Sequence, residues 1–232
     1  MGRLIIGHLQ MNKNILSLYF IVGTQDIHLP KTERKQGLLE VLSQACDEQI
    51  TCFQFREKGS HALQSKQEIY ALAKQCQQIC RDKKVAFVVD DDVDLALQLH
   101  ADGIHVGQSD LAIHQVLQRC SGKMFIGLSI NNFAQAQCAE QITGIDYYGV
   151  GPIFATTSKP DAQPVVGHGL LSAIRNAKIA TPIVGIGGIN QNNADSVRQA
   201  GADGIAVISA ITHACMQEPK IRSQIFAQLK AK

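Results

Sequence analysis

Short apolar runs rich in Val and Ile recur eight times along this 232-residue chain, and each is followed by a stretch whose apolar residues lie three and four apart. This alternation is the sequence pattern of repeated β-α units. Most runs are apolar throughout, as expected for a parallel sheet that is covered on both faces. The runs span residues 18–22, 52–55, 85–89, 103–106, 125–128, 147–150, 183–186 and 204–208. The predicted helices span residues 38–46, 68–80, 93–99, 113–117, 133–142, 170–177, 194–200 and 221–229.

Eight β-α units predict a closed (β/α)8 barrel, or TIM barrel, for which about 250 residues is typical. We expect a single barrel domain over residues 17–232 and a poorly ordered N-terminal extension over residues 1–16. An open, doubly wound sheet is the competing architecture, and its dinucleotide-binding form would carry G-x-G-x-x-G after an early strand. The nearest match, residues 185–190, follows the seventh run and has Asn190 in place of the last glycine. The barrel is therefore favoured.

Composition argues against several classes of partner. The chain has 22 Lys and Arg against 20 Asp and Glu, 5% aromatic residues and no Trp, which gives no basis for nucleic-acid binding. No apolar run is long enough to span a bilayer, so we expect no membrane partner. The seven cysteines are scattered and never spaced as C-x-x-C. That pattern favours buried, reduced thiols and a cytoplasmic protein over a disulfide framework or a zinc site.

The polar residues that follow the second run predict an anion-binding site. Active sites of (β/α)8 barrels lie at the carboxyl ends of the strands. In an extended chain Gln54, Arg56 and Lys58 project to one side and bring two cations and an amide together. Arg suits bidentate oxygen ligands, and Lys acts as a point charge. A solvated strand end, or ion pairs inside the barrel, would explain this segment equally well.

Acidic residues follow the next two runs. Asp90, Asp91 and Asp92 end the third run, and Asp110 closes the segment after the fourth. Taken singly, Asp92 and Asp110 are better explained as helix N-caps. Carboxylates from neighbouring strands nevertheless suit Mg²⁺, which takes one or two of them together with phosphate oxygens. Beside the cations of the second strand, they predict a site for a metal-bound diphosphate.

Hydroxyl and glycine residues follow the later runs. Ser129 ends the fifth, and a longer loop after the sixth carries three hydroxyls before Lys159, in residues 156–159. Such a loop is either a functional lid or a flexible polar segment. Residues 185–188 and the pair Ile208 and Ser209 follow the last two runs, where barrels of this class frequently bind phosphate on backbone N–H groups. A second, metal-free anion site is therefore expected.

The chain lacks the familiar patterns of nucleophilic catalysis. Its histidines show no H-x-x-x-H or triad-like grouping, so each, His105 included, is interpreted as structural or exposed. No G-x-S-x-G motif is present either, which argues against a nucleophilic serine.

From about Leu18 to its end the chain resembles the thiamine-phosphate synthase (thiamine-phosphate pyrophosphorylase) family. The resemblance rests on the ordered segments 54–59, 89–92, 101–110, 149–159, 185–189 and 201–204. It implies a (β/α)8 transferase that joins 4-amino-2-methyl-5-hydroxymethylpyrimidine diphosphate to hydroxyethylthiazole phosphate, releasing diphosphate and forming thiamine phosphate. It also implies that the C–O bond breaks first and that no protein nucleophile is needed.

The resemblance assigns roles residue by residue. The pyrimidine diphosphate would contact Gln54, Arg56, Lys58, Asp90, Ser129 and Lys159. The thiazole phosphate would be surrounded by Thr156, Thr157, Ser158, Gly188, Ile208 and Ser209. Asp91 and Asp110 would hold Mg²⁺, and the residues acting in catalysis would be Arg56, Lys58, Ser129 and Lys159. The expected partners are small phosphorylated substrates, with assembly into a homo-oligomer left open.

Two positions depart from the family pattern. Asp90 stands where the family usually has Asn, and Ser158 where it usually has Thr. Serine keeps the hydrogen-bonding hydroxyl, but a carboxylate at position 90 would repel a diphosphate. Asp90 would have to be protonated, pair with Arg56 or Lys58, or join Asp91 as a metal ligand.

Two other functions stay open. The related thiazole tautomerase resembles the synthase in its thiazole-phosphate end, but lacks the acidic pair and carries a His shortly after the fifth strand. Here Ser129 is followed by Ile130, Asn131 and Asn132, which favours the synthase. A non-catalytic sensor of thiazole or thiamine phosphate would have no use for a metal-diphosphate site.

Overall fold

Eight parallel strands pair in sequence order and close into a barrel, with the last strand paired to the first. The computed structural model describes residues 11–156, 158 and 163–230. The strands are β1 Leu18–Val22, β2 Cys52–Phe55, β3 Ala86–Asp90, β4 Gly103–Val106, β5 Phe125–Ile130, β6 Tyr147–Val150, β7 Ile183–Ile186 and β8 Gly204–Val207. The predicted (β/α)8 barrel is confirmed.

Nine α-helices of the described residues surround these strands. They are α1 Arg34–Asp47, α2 Lys66–Lys83, α3 Val93–Leu99, α4 Ile113–Cys120, α5 Phe133–Glu140, α6 Gly167–Asn176, α7 Ala194–Gln199, α8 Ser209–Cys215 and α9 Pro219–Lys230. The helix α8 directly after β8 was not predicted, because its seven residues are too few to show a clear helical period. It places Ser209 at a helix start instead of in a loop.

Two hydrophobic clusters follow from the alternation of side chains along the strands. One lies between the strands and the helices and contains residues such as Phe53, Phe87 and Ile104. The other fills the barrel interior and contains Tyr19 and Tyr147. Since both faces of each strand are covered, the strands are mostly apolar. Gln54, His105 and Ser129 are polar exceptions inside strands, and charged side chains concentrate at the strand ends.

The amino-terminal end of the barrel is closed by a 3-10 helix, Lys13–Leu16, ahead of β1. Leu16 is fully buried in the interior cluster, and the Thr51 hydroxyl donates to the Ile15 carbonyl at 2.9 Å. A side chain at Gly204 would collide with the Leu16 carbonyl, so this glycine permits the close approach. The extension expected over residues 1–16 is thus part of the barrel from residue 12 onward, while residues 1–10 lie outside the described residues.

Within the described part of the chain, no helix is both long and apolar enough to cross a membrane. Six of the seven cysteines are buried as free thiols, and Cys138 is exposed. The expectation of buried thiols is therefore correct for all but Cys138.

Candidate active site

A cavity of about 280 Å³ opens where the loops after the strands converge, at the carboxyl end of the barrel. This is the end at which (β/α)8 enzymes carry their active sites. Its lining includes the predicted residues Gln54, Arg56, Lys58, Asp90, Asp91, Asp110, Ser129, Thr156, Ser158, Gly188, Ile208 and Ser209. The two other predicted residues, Thr157 and Lys159, lie outside the described residues.

Side chains along β2 and the residues after it point alternately into the cavity and away from it. Gln54 and Arg56 line the cavity and are only 1% and 4% exposed, so a solvated strand end does not describe them. Glu57 accepts hydrogen bonds from Thr24 N at 2.6 Å and from Leu63 N at 2.8 Å, which anchors the loops after β1 and β2. Glu57 is therefore structural, whereas Gln54, Arg56 and Lys58 form part of the cavity wall.

Arg56 and Asp90 form an ion pair at the base of the cavity. Arg56 Nε lies 3.2 Å from Asp90 Oδ2, and the two side chains are 5% and 9% exposed. Of the three arrangements considered for Asp90, the structure therefore shows pairing with Arg56. A carboxylate beside a guanidinium is much less repulsive to an incoming diphosphate than an isolated one.

Lys58 lies between the two acidic strand ends. Its Nζ is 2.6 Å from Asp91 Oδ2 and 3.3 Å from Asp110 Oδ1. Asp91 has a left-handed backbone with φ 58°, a conformation that Asp and Asn tolerate better than most residues. The other oxygen of Asp110 accepts from Gly107 N at 2.8 Å. Asp91 and Asp110 thus converge on one cation, as a metal-ligand pair must.

The prediction that Asp92 and Asp110 are helix N-caps is correct for Asp92 and wrong for Asp110. Asp92 Oδ1 accepts from Leu95 N at 2.9 Å and caps α3, as expected. The N-cap position of α4 is Ala112, so Asp110 does not cap that helix.

The carboxyl groups of Asp91 and Asp110 titrate differently. Burial, reinforced by the neighbouring Asp90 carboxylate, raises the pKa of Asp91 to about 7, although Lys58 opposes the rise. Burial also acts to raise the pKa of Asp110, but hydrogen bonds from Asp91, Gly107 and Lys58 outweigh it and lower that pKa. Two close carboxyl groups that share a proton are the expected result of bringing like charges together.

These residues fit the Mg²⁺ that the resemblance implies. Two hard carboxylate ligands from neighbouring loops meet at a point that holds the Lys58 ammonium. Mg²⁺ usually takes one or two carboxylates, several waters and substrate phosphate oxygens. An acidic pair at the mouth of a cavity that also contains the buried Arg56 guanidinium meets that requirement.

His105 is a cavity residue that the sequence interpretation missed. Its ring lies between Ser129 and Tyr147, with Nε2 2.9 Å from Ser129 Oγ and Nδ1 3.0 Å from Tyr147 Oη. A Cβ added at Gly127 or Gly149 would approach the His105 ring to 2.5 or 2.9 Å. Gly127 and Gly149 lie inside two successive predicted strands. Glycine inside a strand is the sequence signal that could have indicated a large side chain packed against the backbone there.

The loop after β7 supplies a second polar corner of the cavity. Gly187 and Gly188 have φ of 98° and 64°, and a Cβ at Gly188 would lie 2.5 Å from the Ala155 carbonyl. Asn193 holds the loop with both ends of its amide, because Nδ2 donates to Gly188 O at 3.1 Å and Oδ1 accepts from Asn190 N at 2.8 Å. Glycine is thus required at position 188 by conformation and by space.

Hydroxyl residues surround this corner. Ser158 N donates to Thr156 Oγ1 at 3.2 Å in the loop after β6, and Ile208 and Ser209 begin α8. The cavity therefore has a charged side, formed by the loops after β2–β4, and a glycine and hydroxyl side, formed by the loops after β6–β8.

Known proteins share both the sequence and the fold. The family model for thiamine monophosphate synthase matches residues 18–211. The thiamine-phosphate synthase of Listeria monocytogenes is 53% identical over 197 residues, which cover 85% of this chain and 89% of the relative. That of Actinobacillus succinogenes is 51% identical over 202 residues, covering 86% and 91%.

A solved structure agrees with these relatives. Thiamine phosphate pyrophosphorylase from Pyrococcus furiosus superposes with a TM-score of 0.75 at 32% identity, covering 94% of this chain and 95% of that one. The resemblance inferred from the motifs is confirmed, and the chain belongs to the thiamine monophosphate synthase family.

Proposed function

We propose that this chain is a thiamine-phosphate synthase that condenses the pyrimidine diphosphate with hydroxyethylthiazole phosphate. The observation that carries the proposal is the placement of Lys58 between Asp91 and Asp110, beside the buried Arg56–Asp90 pair. Cations and carboxylates gathered on one side of a cavity suit a metal-bound diphosphate, and simple phosphate binding would not require the carboxylates.

The charged side of the cavity would hold the pyrimidine diphosphate. Arg56 and Lys58 would bind its phosphate oxygens, and Gln54 and Ser129 would contact the pyrimidine end, with Asp90 holding Arg56 in place. Lys159 keeps the diphosphate-binding role that the resemblance implies. The buried guanidinium is already oriented by its carboxylate, so little conformational entropy is lost when the diphosphate arrives.

Asp91 and Asp110 would hold Mg²⁺ at the mouth of the charged side. A bound divalent cation would supply neutralisation of the charge that develops on the departing diphosphate. Because Lys58 bridges the same two carboxylates, its ammonium would move toward the diphosphate oxygens when the cation binds. Lys58 would then bind the leaving group directly.

The glycine and hydroxyl side would bind the thiazole phosphate. Gly188 would offer its backbone N–H, and Thr156, Ser158 and Ser209 would offer their hydroxyls, next to Ile208 at the start of α8. Thr157 keeps the same role by resemblance. Neutral donors of this kind bind a phosphate dianion without a metal.

The reaction then needs positioning and charge stabilisation. The bond between the pyrimidine methylene carbon and the diphosphate oxygen breaks, and its electron pair leaves with the diphosphate. The lone pair of the thiazole nitrogen forms the new C–N bond. Two substrates held on facing sides of one cavity bring these atoms together, so no protein nucleophile is required.

An assay of both half-substrates tests the proposal against its rivals. Purified protein with Mg²⁺ should form thiamine phosphate and diphosphate only when both substrates are present. A tautomerase would isomerise a thiazole phosphate without the pyrimidine diphosphate, and a sensor would bind thiazole or thiamine phosphate without turnover. Either of these outcomes, with no condensation, would overturn the proposal.

The amide of Asn193 gives a test of the thiazole side. Asn193→Asp keeps the acceptor for Asn190 N and loses the donor to Gly188 O. One lost hydrogen bond is worth about 0.5–1.5 kcal/mol, and the new carboxylate also repels the Gly188 carbonyl and the bound phosphate, so the KM for the thiazole phosphate should rise about 10-fold or more. The KM for the pyrimidine diphosphate should stay unchanged. The control is Asn192→Asp, an exposed neighbour with the same chemical change; equal effects of both variants, or a rise in both KM values, would contradict the assignment.

A further inference from the structure

A continuous chain of hydrogen bonds crosses the barrel interior and ends at the cavity. Gln54 Nε2 donates to Tyr19 Oη at 2.9 Å, and Tyr19 Oη lies 3.0 Å from Tyr147 Oη. Tyr147 Oη lies 3.0 Å from His105 Nδ1, and His105 Nε2 lies 2.9 Å from Ser129 Oγ. The chain begins and ends on side chains that line the cavity, and its two tyrosines are buried.

The first contact gives the chain a direction. An amide nitrogen only donates, so Tyr19 Oη accepts from Gln54. Its own proton then goes preferentially to Tyr147 Oη, which is a stronger acceptor than the neighbouring Cys52 sulfur. Burial is the main reason that the pKa of Tyr19 and of Tyr147 lies well above the usual value for tyrosine.

The direction then carries through the imidazole. Tyr147 accepts from Tyr19 and donates to His105 Nδ1, which must be an unprotonated acceptor. A neutral imidazole with Nδ1 as acceptor carries its proton on Nε2. In this direction His105 Nε2 donates to Ser129 Oγ, which leaves the proton of the serine hydroxyl available to a partner in the cavity that Ser129 lines.

Two glycines leave the space that the His105 ring occupies. A Cβ at Gly127 would lie 2.2 Å from the Tyr147 ring and 2.5 Å from His105 Nδ1, and one at Gly149 would lie 2.9 Å from His105 Cε1. The two strands that flank the ring thus carry glycine where any other residue would displace it. The strands and the hydrogen bonds to Tyr147 and Ser129 therefore hold the His105 ring in place.

We propose that the buried tyrosine pair fixes His105 in its Nε2-protonated form, and that His105 is a positioning residue that orients the Ser129 hydroxyl as a donor toward the substrate. The tautomer rests on the direction inferred for the hydrogen-bond chain and not on the proposed function. The effect on catalysis rests on the proposed function, in which Ser129 contacts the pyrimidine diphosphate.

The tautomer is tested by nitrogen NMR of the full-length protein labelled at its histidine rings. Comparison with His105→Gln identifies the His105 signals. We expect a neutral ring with the proton on Nε2 and an unprotonated Nδ1. A ring protonated on Nδ1, alone or together with Nε2, would overturn the proposal. This measurement needs no activity, so it stands apart from any failure of the proposed function.

The positioning role is tested by a double-mutant cycle with Ser129→Ala. His105→Leu removes the donor to Ser129 and should lower kcat/KM for the pyrimidine diphosphate by about 3- to 10-fold, the size of one hydrogen bond. His105→Gln places an amide donor near the position of Nε2 and should recover most of the loss. In the Ser129→Ala background, His105→Leu should have no further effect.

Two comparisons keep this cycle interpretable. His114→Leu makes the same substitution at an exposed position of α4 and should leave kcat/KM unchanged. Two outcomes would show a merely structural role and overturn the positioning assignment. One is a fall in kcat/KM from His105→Leu that is equally large with and without the Ser129 hydroxyl, and the other is no rescue by His105→Gln.

Discussion

Replacing Asp91 or Asp110 by Asn should lower turnover by about 100-fold or more, since a bound cation supplies several kcal/mol of charge stabilisation and each 1.4 kcal/mol is tenfold. The reason is the geometry at Lys58, where these two carboxylates lie 2.6 and 3.3 Å from one ammonium. Asparagine keeps the volume and tolerates the left-handed backbone of Asp91, so the substitution removes charge with little strain.

The matched control for this pair is Asp92→Asn. Asp92 is adjacent to Asp91 but caps α3 through its Oδ1, and asparagine is an equally good cap. Turnover of the control should stay near wild type. Binding of Mn²⁺ as a spectroscopic substitute for Mg²⁺ should weaken in Asp91→Asn and Asp110→Asn and not in Asp92→Asn. Wild-type turnover in both acidic-pair variants, or undiminished rate in excess chelator, would contradict the metal assignment.

Arg56→Met should destabilise the folded protein as well as abolish diphosphate binding. Removing one partner of a buried ion pair leaves a buried charge, which costs about 3–5 kcal/mol. We expect the lower end, because the Lys58 ammonium also interacts with Asp90. A loss of about 3 kcal/mol corresponds to a fall in Tm of roughly 6–12 °C for a chain of this size.

The double variant Arg56→Met with Asp90→Asn separates charge from packing. If the uncompensated Asp90 charge causes the loss of stability, the second substitution should reverse about half or more of the fall in Tm. Lys35→Met, which breaks the exposed Lys35–Glu68 pair, should cost less than about 1 kcal/mol. Equal Tm values for the single and double variants would show that the Arg56–Asp90 charge interaction does not stabilise the fold.

Asp90→Asn alone bears on the departure from the family pattern. Asparagine keeps an oxygen acceptor for Arg56 Nε, which lies 3.2 Å from the carboxylate, and removes the negative charge. The variant should therefore bind the pyrimidine diphosphate at least as tightly and keep its activity near neutral pH. Isothermal titration with the pyrimidine diphosphate and Mg²⁺ measures both affinities. A large loss of Mg²⁺ affinity would show instead that Asp90 acts as a third acidic ligand.

The barrel could be predicted because each β-α unit carries its own local signal. The runs at residues 18–22 and 52–55 match β1 and β2, since a buried parallel strand needs a continuous apolar segment. The spacing of Gln54, Arg56 and Lys58 was equally informative, because strand alternation alone decides which side chains enter the barrel. The helix α8 and the buried Leu16 were not predicted, because both are short and are held by tertiary contacts.

Contacts inside the barrel were the hardest to predict. His105 and Tyr147 are 42 positions apart, and no spacing rule links them. Their proximity depends on strand pairing and on the space left by Gly127 and Gly149. The Arg56–Asp90 pair had been one of three arrangements, and choosing among them required the distance between neighbouring strand ends.

The most direct test of the account is the ratio of products formed by the purified protein. With both substrates and Mg²⁺, thiamine phosphate and diphosphate should appear in a ratio of about one to one, and both should vanish in excess chelator, because one C–O bond breaks for each C–N bond formed. Two results would contradict a metal-assisted condensation in this cavity. One is diphosphate release that is as fast without the thiazole phosphate as with it, and the other is thiamine phosphate formation at an unchanged rate in excess chelator.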